Sequence, residues 1–405
     1  MHAPHPDSGA KLQIAEVFRR FSGPYRELHP LGADTARVLR DLESCRTAAL
    51  GGHLYRCNDC GREVPLYNSC LNRHCPTCQG PAQYRWIEQR QSRLLNTPYF
   101  HVVFTLPASL RAVVLAHRRV LLGLLLRAAA QTLHAFAADP KWLGAQLGFT
   151  LVLHTWTRQL LFHPHVHAIV TGGGLSADGT RWVRLPNDEF LFPVAALSRV
   201  VRGKFLAGFI DLCESGRIDL VDTASRKLVR RANKHPWVVY AKKPFAGPKQ
   251  IVNYLGRYTH RVAISSSRLL SVSDHRIVFR TRAERTCSIT PDEFIRRFLL
   301  HVLPHQFFKI RHYGLLAPAN VNTRLVQARD LLGPVPHHTA TAPTTPARCE
   351  DTFTADAQAP RRSPNDHAEP SADNLAAPKC PLCGGRLVPI GARNFHRPPR
   401  GPPGP

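Results

Sequence analysis

Three histidines at alternate positions, in the run His163-Pro164-His165-Val166-His167, carry the clearest chemistry in this 405-residue sequence. Successive side chains of a β-strand point to opposite faces, so His165 and His167 share a face and Val166 turns to the other. Two imidazoles on one rigid element are a platform for a metal ion. With 22 His in the chain, chance supplies about one His-x-His pair but only about 0.06 of a three-histidine alternation. Pro164 reads as the residue where the chain enters this strand, and Gly172-Gly173-Gly174 as the place where it leaves.

Cysteine spacing supplies a second chemistry. Of 11 Cys, four fall in two Cys-x2-Cys knuckles, Cys57/Cys60 and Cys75/Cys78. Two knuckles make a closed four-thiolate tetrahedron, so structural Zn2+ on Cys57, Cys60, Cys75 and Cys78 is the simplest assignment, with Gly61 suited to the tight turn. Cys45, His53, Cys70 and His74 are left over. They form either a second zinc site or a packed thiol with solvated neighbours. A third knuckle, Cys380/Cys383, reads as half a zinc ribbon: a remnant, or a site completed by another molecule. His396 is one further donor, and Cys349 lies far upstream.

The third feature is Tyr254-Leu255-Gly256-Arg257-Tyr258. Residues four apart share a helix face, which presents two phenols together or packs two tyrosines in a core. A phenol beside a divalent ion that polarises a phosphodiester can attack phosphorus and store the bond energy as a phosphotyrosine. Two phenols permit two linked strand transfers.

The elements that must position these residues follow from pattern. Two amphipathic helices over 11–43, broken at Ser22-Gly23-Pro24, precede the cysteines, and a polar helix over 80–97 follows them. A strand over 99–106, a buried helix over 109–137, a strand over 149–156 and the histidine strand then run β-α-β-β. A helix over 192–213, a strand over 236–241 and a helix over 247–258 continue the pattern, so the fold class is α+β with a ferredoxin-like antiparallel sheet. Past about residue 335, Pro, Thr, Ala and Ser dominate and disorder is expected. Three segments result: an N-terminal helical and zinc-binding domain (1–97), a catalytic domain (98–330) and a Pro-rich tail (331–405).

Charge names the partner class. Lys and Arg number 54 against 28 acidic residues, a formal +26. Such an excess, spread along the chain, implies a polyanion, with nucleic acid favoured over a membrane surface. No run of 18 uncharged apolar residues exists and the first residues carry no signal-peptide core, so a cytoplasmic protein with cysteines as metal ligands is expected. Arg56, Arg62, Arg73 and Arg85 beside the knuckles suggest DNA contact. Trp237, Tyr240 and Phe245 among Lys242, Lys243 and Lys249 are stacking platforms or core.

Several segments together are similar to the two-tyrosine rolling-circle transposases of the insertion sequence 91 family, which are HUH endonucleases. They are Cys45-Arg46-Thr47 with Leu50-Gly51-Gly52-His53; Tyr67-Asn68-Ser69-Cys70-Leu71-Asn72-Arg73-His74-Cys75-Pro76-Thr77-Cys78-Gln79; and His154-Thr155-Trp156 with His163 to His167. The set continues with Tyr254-Leu255-Gly256-Arg257-Tyr258-Thr259-His260-Arg261-Val262-Ala263-Ile264 and Phe308-Lys309-Ile310-Arg311-His312-Tyr313-Gly314.

The resemblance implies a transposase that nicks one strand at its element's end, stays attached through a 5′-phosphotyrosine and passes the strand to a target. His165 and His167 become ligands of Mg2+ or Mn2+, with His154 as the third and Gln159 and His163 as alternatives. Tyr254 and Tyr258 become the nucleophiles. Arg257 and Arg261 would stabilise the transition state, and Lys309 and Arg311 would contact DNA, which is expected to be single-stranded. A zinc-containing DNA-binding regulator and a hydrolytic metal nuclease remain as alternatives from other classes.

Overall fold

The computed structural model describes residues 12–186, 190–242, 263–282, 285–334 and 378–391. Its elements in chain order begin with α1 (Ile14–Leu28), α2 (Ala33–Ser44), β1 (Gly52–Cys57), β2 (Glu63–Tyr67), α3 (Gln79–Gln91), β3 (Tyr99–Thr105), α4 (Arg111–Ala116) and α5 (Arg118–Ala138). Then come β4 (Gln146–Trp156), β5 (Phe162–Leu175), β6 (Trp182–Arg184), α6 (Val194–Glu214), α7 (Asp222–Asn233) and β7 (Val239–Lys242). The last are β8 (Leu269–Val272), β9 (Ile277–Arg282), β10 (Arg285–Ile289), α8 (Pro291–Leu299), β11 (Ile310–Gly314), α9 (Arg324–Leu332) and β12 (Leu387–Gly391). The class is mixed α+β with antiparallel sheets.

Two compact units divide the described residues, one within Met1–Gly80, Ile264–Arg296 and Cys349–Pro405, the other within Pro81–Ala263 and Arg297–Arg348. Residues 264–296, expected with the histidine strand, thus group with the cysteine-rich module.

In the second unit the sheet order is β11-β4-β5-β3-β7, with β6 appended to β5. Every pairing is antiparallel. Alternation sorts the residues by face. Phe100, Val102 and Phe104 of β3, Leu151 and Leu153 of β4, and Val166, Ala168 and Val170 of β5 join α5 and α6 in one buried core. α5 is long and apolar enough to cross a membrane by composition, but it is buried nearly all round as the core helix of this sheet. The opposite face carries the histidines.

Three local expectations are corrected. The first helix does not break at Pro24, which lies inside α1. Val17, Phe18 and Tyr25 are buried on both sides of it, and that packing outweighs the hydrogen bond that proline forfeits. The long helix instead divides at His117, whose backbone leaves the helical region between α4 and α5. Finally, Gly172 to Gly174 lie inside β5. A Cβ on Gly172 would meet the Pro98 carbonyl at 2.8 Å and one on Gly174 the Gln146 carbonyl at 2.7 Å, so these glycines admit close backbone neighbours rather than ending the strand.

Candidate metal centres

Strand register builds the histidine cluster. β4 and β5 pair with His154 directly opposite His165 and Val152 opposite His167, so His154, His165 and His167 stand on one face. One ring nitrogen from each lies within 4.8 Å of the others. The rings are inclined, His154 to His165 at 89° and 5.4 Å and His154 to His167 at 59° and 4.4 Å.

Hydrogen bonds set which nitrogen is offered. His165 Nδ1–H donates to the His163 carbonyl at 2.7 Å, which leaves its Nε2 lone pair outward. His167 Nδ1 pairs with His101 Nε2 at 2.8 Å, and the two rings stack nearly parallel, 4° apart. Burial holds His167 well below the ordinary histidine range and His101 at about 3, aided by the charge of Lys242. Both are neutral, the state a metal ligand must have. His154 stacks on Trp156 at 4.6 Å.

Of the alternatives for the third position, His163 Nδ1 accepts from Arg111 Nη2 at 2.6 Å, and Gln159 is exposed, its backbone carbonyl accepting from Arg297. Tyr254, Tyr258, Arg257 and Arg261 lie outside the described residues, as do the expected 247–258 helix, Phe245, Lys243, Lys249, His396 and most of the Pro-rich tail.

The cysteines form two four-sulfur groups in the first unit, and the membership differs from the sequence assignment. Cys75 and Cys78 join Cys45 and Cys70; Cys57 and Cys60 join Cys380 and Cys383. The two nearby knuckles do not share a site because the β1–β2 hairpin separates them. Cys57 ends β1 at the turn, whereas Cys70 follows β2 at the hairpin's open end. His53 is exposed on β1, and buried His74 donates to Asn72 Oδ1 through its backbone at 2.8 Å. Neither completes a site.

Three comparisons bear on these groups. A family model described as "Transposase zinc-binding domain" matches residues 17–106, and one described as "Putative transposase" matches residues 148–324. A Sinorhizobium fredii protein named "Putative transposase y4qJ" is 45% identical over 345 residues, 81% of this chain and 86% of that one. The chain belongs to the insertion sequence 91 family of transposases. The transposase for insertion sequence element IS801 of Pseudomonas savastanoi pv. phaseolicola is 33% identical over 308 residues, 69% of this chain and 71% of that one. No solved structure matches.

In this transposase Cys45, Cys70, Cys75 and Cys78 all lie within the matched zinc-binding domain. A Zn–S distance of about 2.3 Å gives tetrahedral S···S edges of about 3.8 Å. Cys45–Cys78 at 3.4 Å, Cys70–Cys78 at 3.6 Å and Cys45–Cys75 at 3.5 Å stand near that value. The crowded thiols share protons: a hydrogen bond from Cys70 draws Cys45 down to about 7, while the same bond pushes Cys70 up. A divalent cation replaces those protons, so the donor set fits structural Zn2+.

The transposase also gathers residues that spacing did not reveal. His101 sits at an alternate position from Val103 and Thr105 on β3, but the unbroken apolar run hid its face. Arg119, Arg127, Arg217 and Arg311 line one cavity with Phe307 and Phe308, Phe308 being 74% exposed. Trp237 is core, its Nε1–H donating to the Ala232 carbonyl at 3.0 Å. Tyr240 instead has Lys242 Nζ 5.8 Å above its ring, and Tyr313 stacks on Phe149 at 5.2 Å.

Proposed function

We propose that this transposase nicks one DNA strand at its element's terminus and transfers it to a target through 5′-phosphotyrosine intermediates on Tyr254 and Tyr258. The observation that carries the reading is the convergence of His154, His165 and His167 on one sheet face. Spacing within one strand could put two histidines together by chance; a third from a neighbouring strand, in register with the first, supports the reading of a divalent-ion site. Support for an HUH-type, ferredoxin-like core comes from the order β4-β5-β3-β7, with the α4–α5 segment linking β3 to β4 across one face. We assign this core to the sheet unit within residues 98–330, and the zinc module to residues 1–97.

Mg2+ or Mn2+ held by the three imidazoles would polarise the scissile phosphate, imidazole ligation being compatible with Mn2+ as well as with the expected Mg2+. A tyrosine phenolate then attacks phosphorus. The new O–P bond forms as the P–O3′ bond breaks, the 3′ oxygen leaves as a hydroxyl after gaining a proton, and the 5′ phosphate remains on the enzyme. A 3′ hydroxyl of the target reverses the exchange. Arg257 and Arg261 offset charge on the transferring phosphoryl group. The four-arginine cavity with exposed Phe308 offers phosphate contacts and a stacking face, the pairing that favours single-stranded DNA. The protein acts on cytoplasmic, nucleoid-bound DNA.

The test uses purified full-length protein, Mn2+ and end-labelled single-stranded oligonucleotides from the element termini, resolved on a denaturing gel. A covalent adduct on the 3′ fragment that persists in Tyr254→Phe and Tyr258→Phe alone but vanishes in the double variant is expected. Cleavage without adduct would establish a hydrolytic nuclease, and binding without cleavage a DNA-binding protein; either result overturns the proposal.

A further inference from the structure

The Cys380/Cys383 knuckle lies beyond both family matches, which end at residues 106 and 324. Its partner half is nonetheless present in the same chain. β12 adds antiparallel to β1, with Cys57 opposite Leu387 and Arg56 opposite Val388. The two knuckles then repeat one geometry. Gly61 N–H donates to the Cys57 carbonyl at 3.0 Å, and Gly384 N–H to the Cys380 carbonyl at 2.9 Å. Cys57 N–H donates to the Arg62 carbonyl at 2.9 Å, and Cys380 N–H to the Gly385 carbonyl at 2.7 Å. Each turn closes on a glycine in the left-handed region, φ 70° at Gly61 and 77° at Gly384.

The sulfurs meet accordingly. Cys57 and Cys383 are 3.4 Å apart and Cys60 and Cys380 3.8 Å, and all four lie within 4.8 Å of one another, close to the edges of a ZnS4 tetrahedron. Cys57, Cys380 and Leu387 are buried together against Tyr55 and Val64. Gly385 is the contact point, because a Cβ there would reach Cys57 Sγ at 2.9 Å and the Asp59 carboxylate closer still. A larger residue at 385 would press directly on the Cys57 sulfur.

We propose that Cys57, Cys60, Cys380 and Cys383 form a second structural Zn2+ site, a ribbon assembled from opposite ends of the chain that fastens its C-terminal segment to the zinc-binding module. The ion is the fastener because the buried apolar cluster between β12 and the hairpin is small, Leu387 with Cys57 and Cys380 against Tyr55 and Val64, and a core of that size needs a metal or similar staple to hold. Zinc uptake displaces the thiol protons, Zn2+ entering as the four sulfurs become thiolates. The site is independent of the transfer chemistry proposed above.

The experiment measures zinc per chain by plasma mass spectrometry on full-length protein after exhaustive dialysis, together with hydrogen exchange of the Leu387–Gly391 amides. Wild type should hold two zinc ions with protected β12 amides. Cys380→Ser with Cys383→Ser should hold one, with those amides exchanging at least tenfold faster. Gly385→Val, which keeps every thiol, should also lose one ion. One zinc in the wild type, or two retained in both variants, would overturn the site. Protection of β12 unchanged after loss of the second ion would overturn its role as the fastener.

Discussion

Replacing His101 by Phe isolates the support beneath the histidine cluster. The substitution keeps an aromatic ring of similar size on β3 and removes the nitrogen 2.8 Å from His167 Nδ1. To offer Nε2 to an ion, His167 must carry its proton on Nδ1 and donate it. With a phenyl ring in place of the imidazole that buried N–H has no acceptor on β3, a cost of about 1–3 kcal/mol. Because the cost falls on the ion-bound state, divalent-ion affinity should drop about 10- to 100-fold, the usual effect of losing a ligand's hydrogen-bond partner. Mn2+ titration by electron paramagnetic resonance reads the dissociation constant directly, and nicking rate against Mn2+ concentration reads it in function. The expected outcome is a midpoint moved to higher Mn2+ in both, with the rate at saturating ion within about threefold of wild type. An unchanged Mn2+ dissociation constant would show that His101 does not position His167, and the reasoning from this hydrogen bond would fail.

Two further predictions rest on other groups. Burial holds His301 at about 3, where its Nε2–H donates to the Leu160 carbonyl at 3.0 Å and its Nδ1 accepts from Thr155 Oγ1 at 3.2 Å. The unfolded imidazole titrates near 6.5, so as pH falls the unfolded chain takes up the proton first. The contribution of neutral His301 is complete above about 6.5 and is lost toward about 3, at roughly 1.4 kcal/mol per pH unit. Urea unfolding between pH 7 and 5 should show that slope diminished in His301→Gln; identical slopes would remove His301 as its source. Arg311, whose guanidinium lies 5.6 Å above the Phe307 ring, is expected to contact a phosphate. Arg311→Ala should weaken single-strand binding about equally for all sequences and lower the slope of log affinity against log salt by about 0.7, as fluorescence anisotropy would report; sequence-dependent loss with an unchanged slope would refute a phosphate contact.

Much of the architecture of the histidine-bearing sheet unit is legible from pattern alone, because alternation on a sheet and periodicity on a helix are local. The β3, β4, β5 order and the shared face of His165 and His167 follow from such rules, and His154 follows once its strand is paired with theirs. His101 does not, since β3 is buried along its whole length and a fully apolar run conceals which face a residue takes. Pro24 misled for the opposite reason: a local breaker was overruled by the tertiary burial of Val17, Phe18 and Tyr25.

The cysteine grouping shows where proximity in sequence is the wrong guide and what could replace it. Cys57/Cys60 and Cys75/Cys78 are close in number, and each knuckle is chemically complete as half a site. Between them, however, the chain makes a hairpin in which Gly52 pairs with Tyr67 and Arg56 with Glu63. Cys57 and Cys60 sit at its closed end, while Cys45 precedes β1 and Cys70 follows β2 at its open end. Five residue steps of β1 at about 3.3 Å each set those ends about 17 Å apart, against the about 3.8 Å that sulfurs around one zinc require. One ion therefore cannot bridge the hairpin, and each end must recruit its own second pair. The open end finds it nearby in Cys45 and Cys70. The closed end has no nearby cysteines left, and only a second chain segment adding along β1 can bring two thiolates to the turn. That is the position β12 takes, which makes the C-terminal knuckle a geometric requirement of the hairpin's length if both of its ends bind metal.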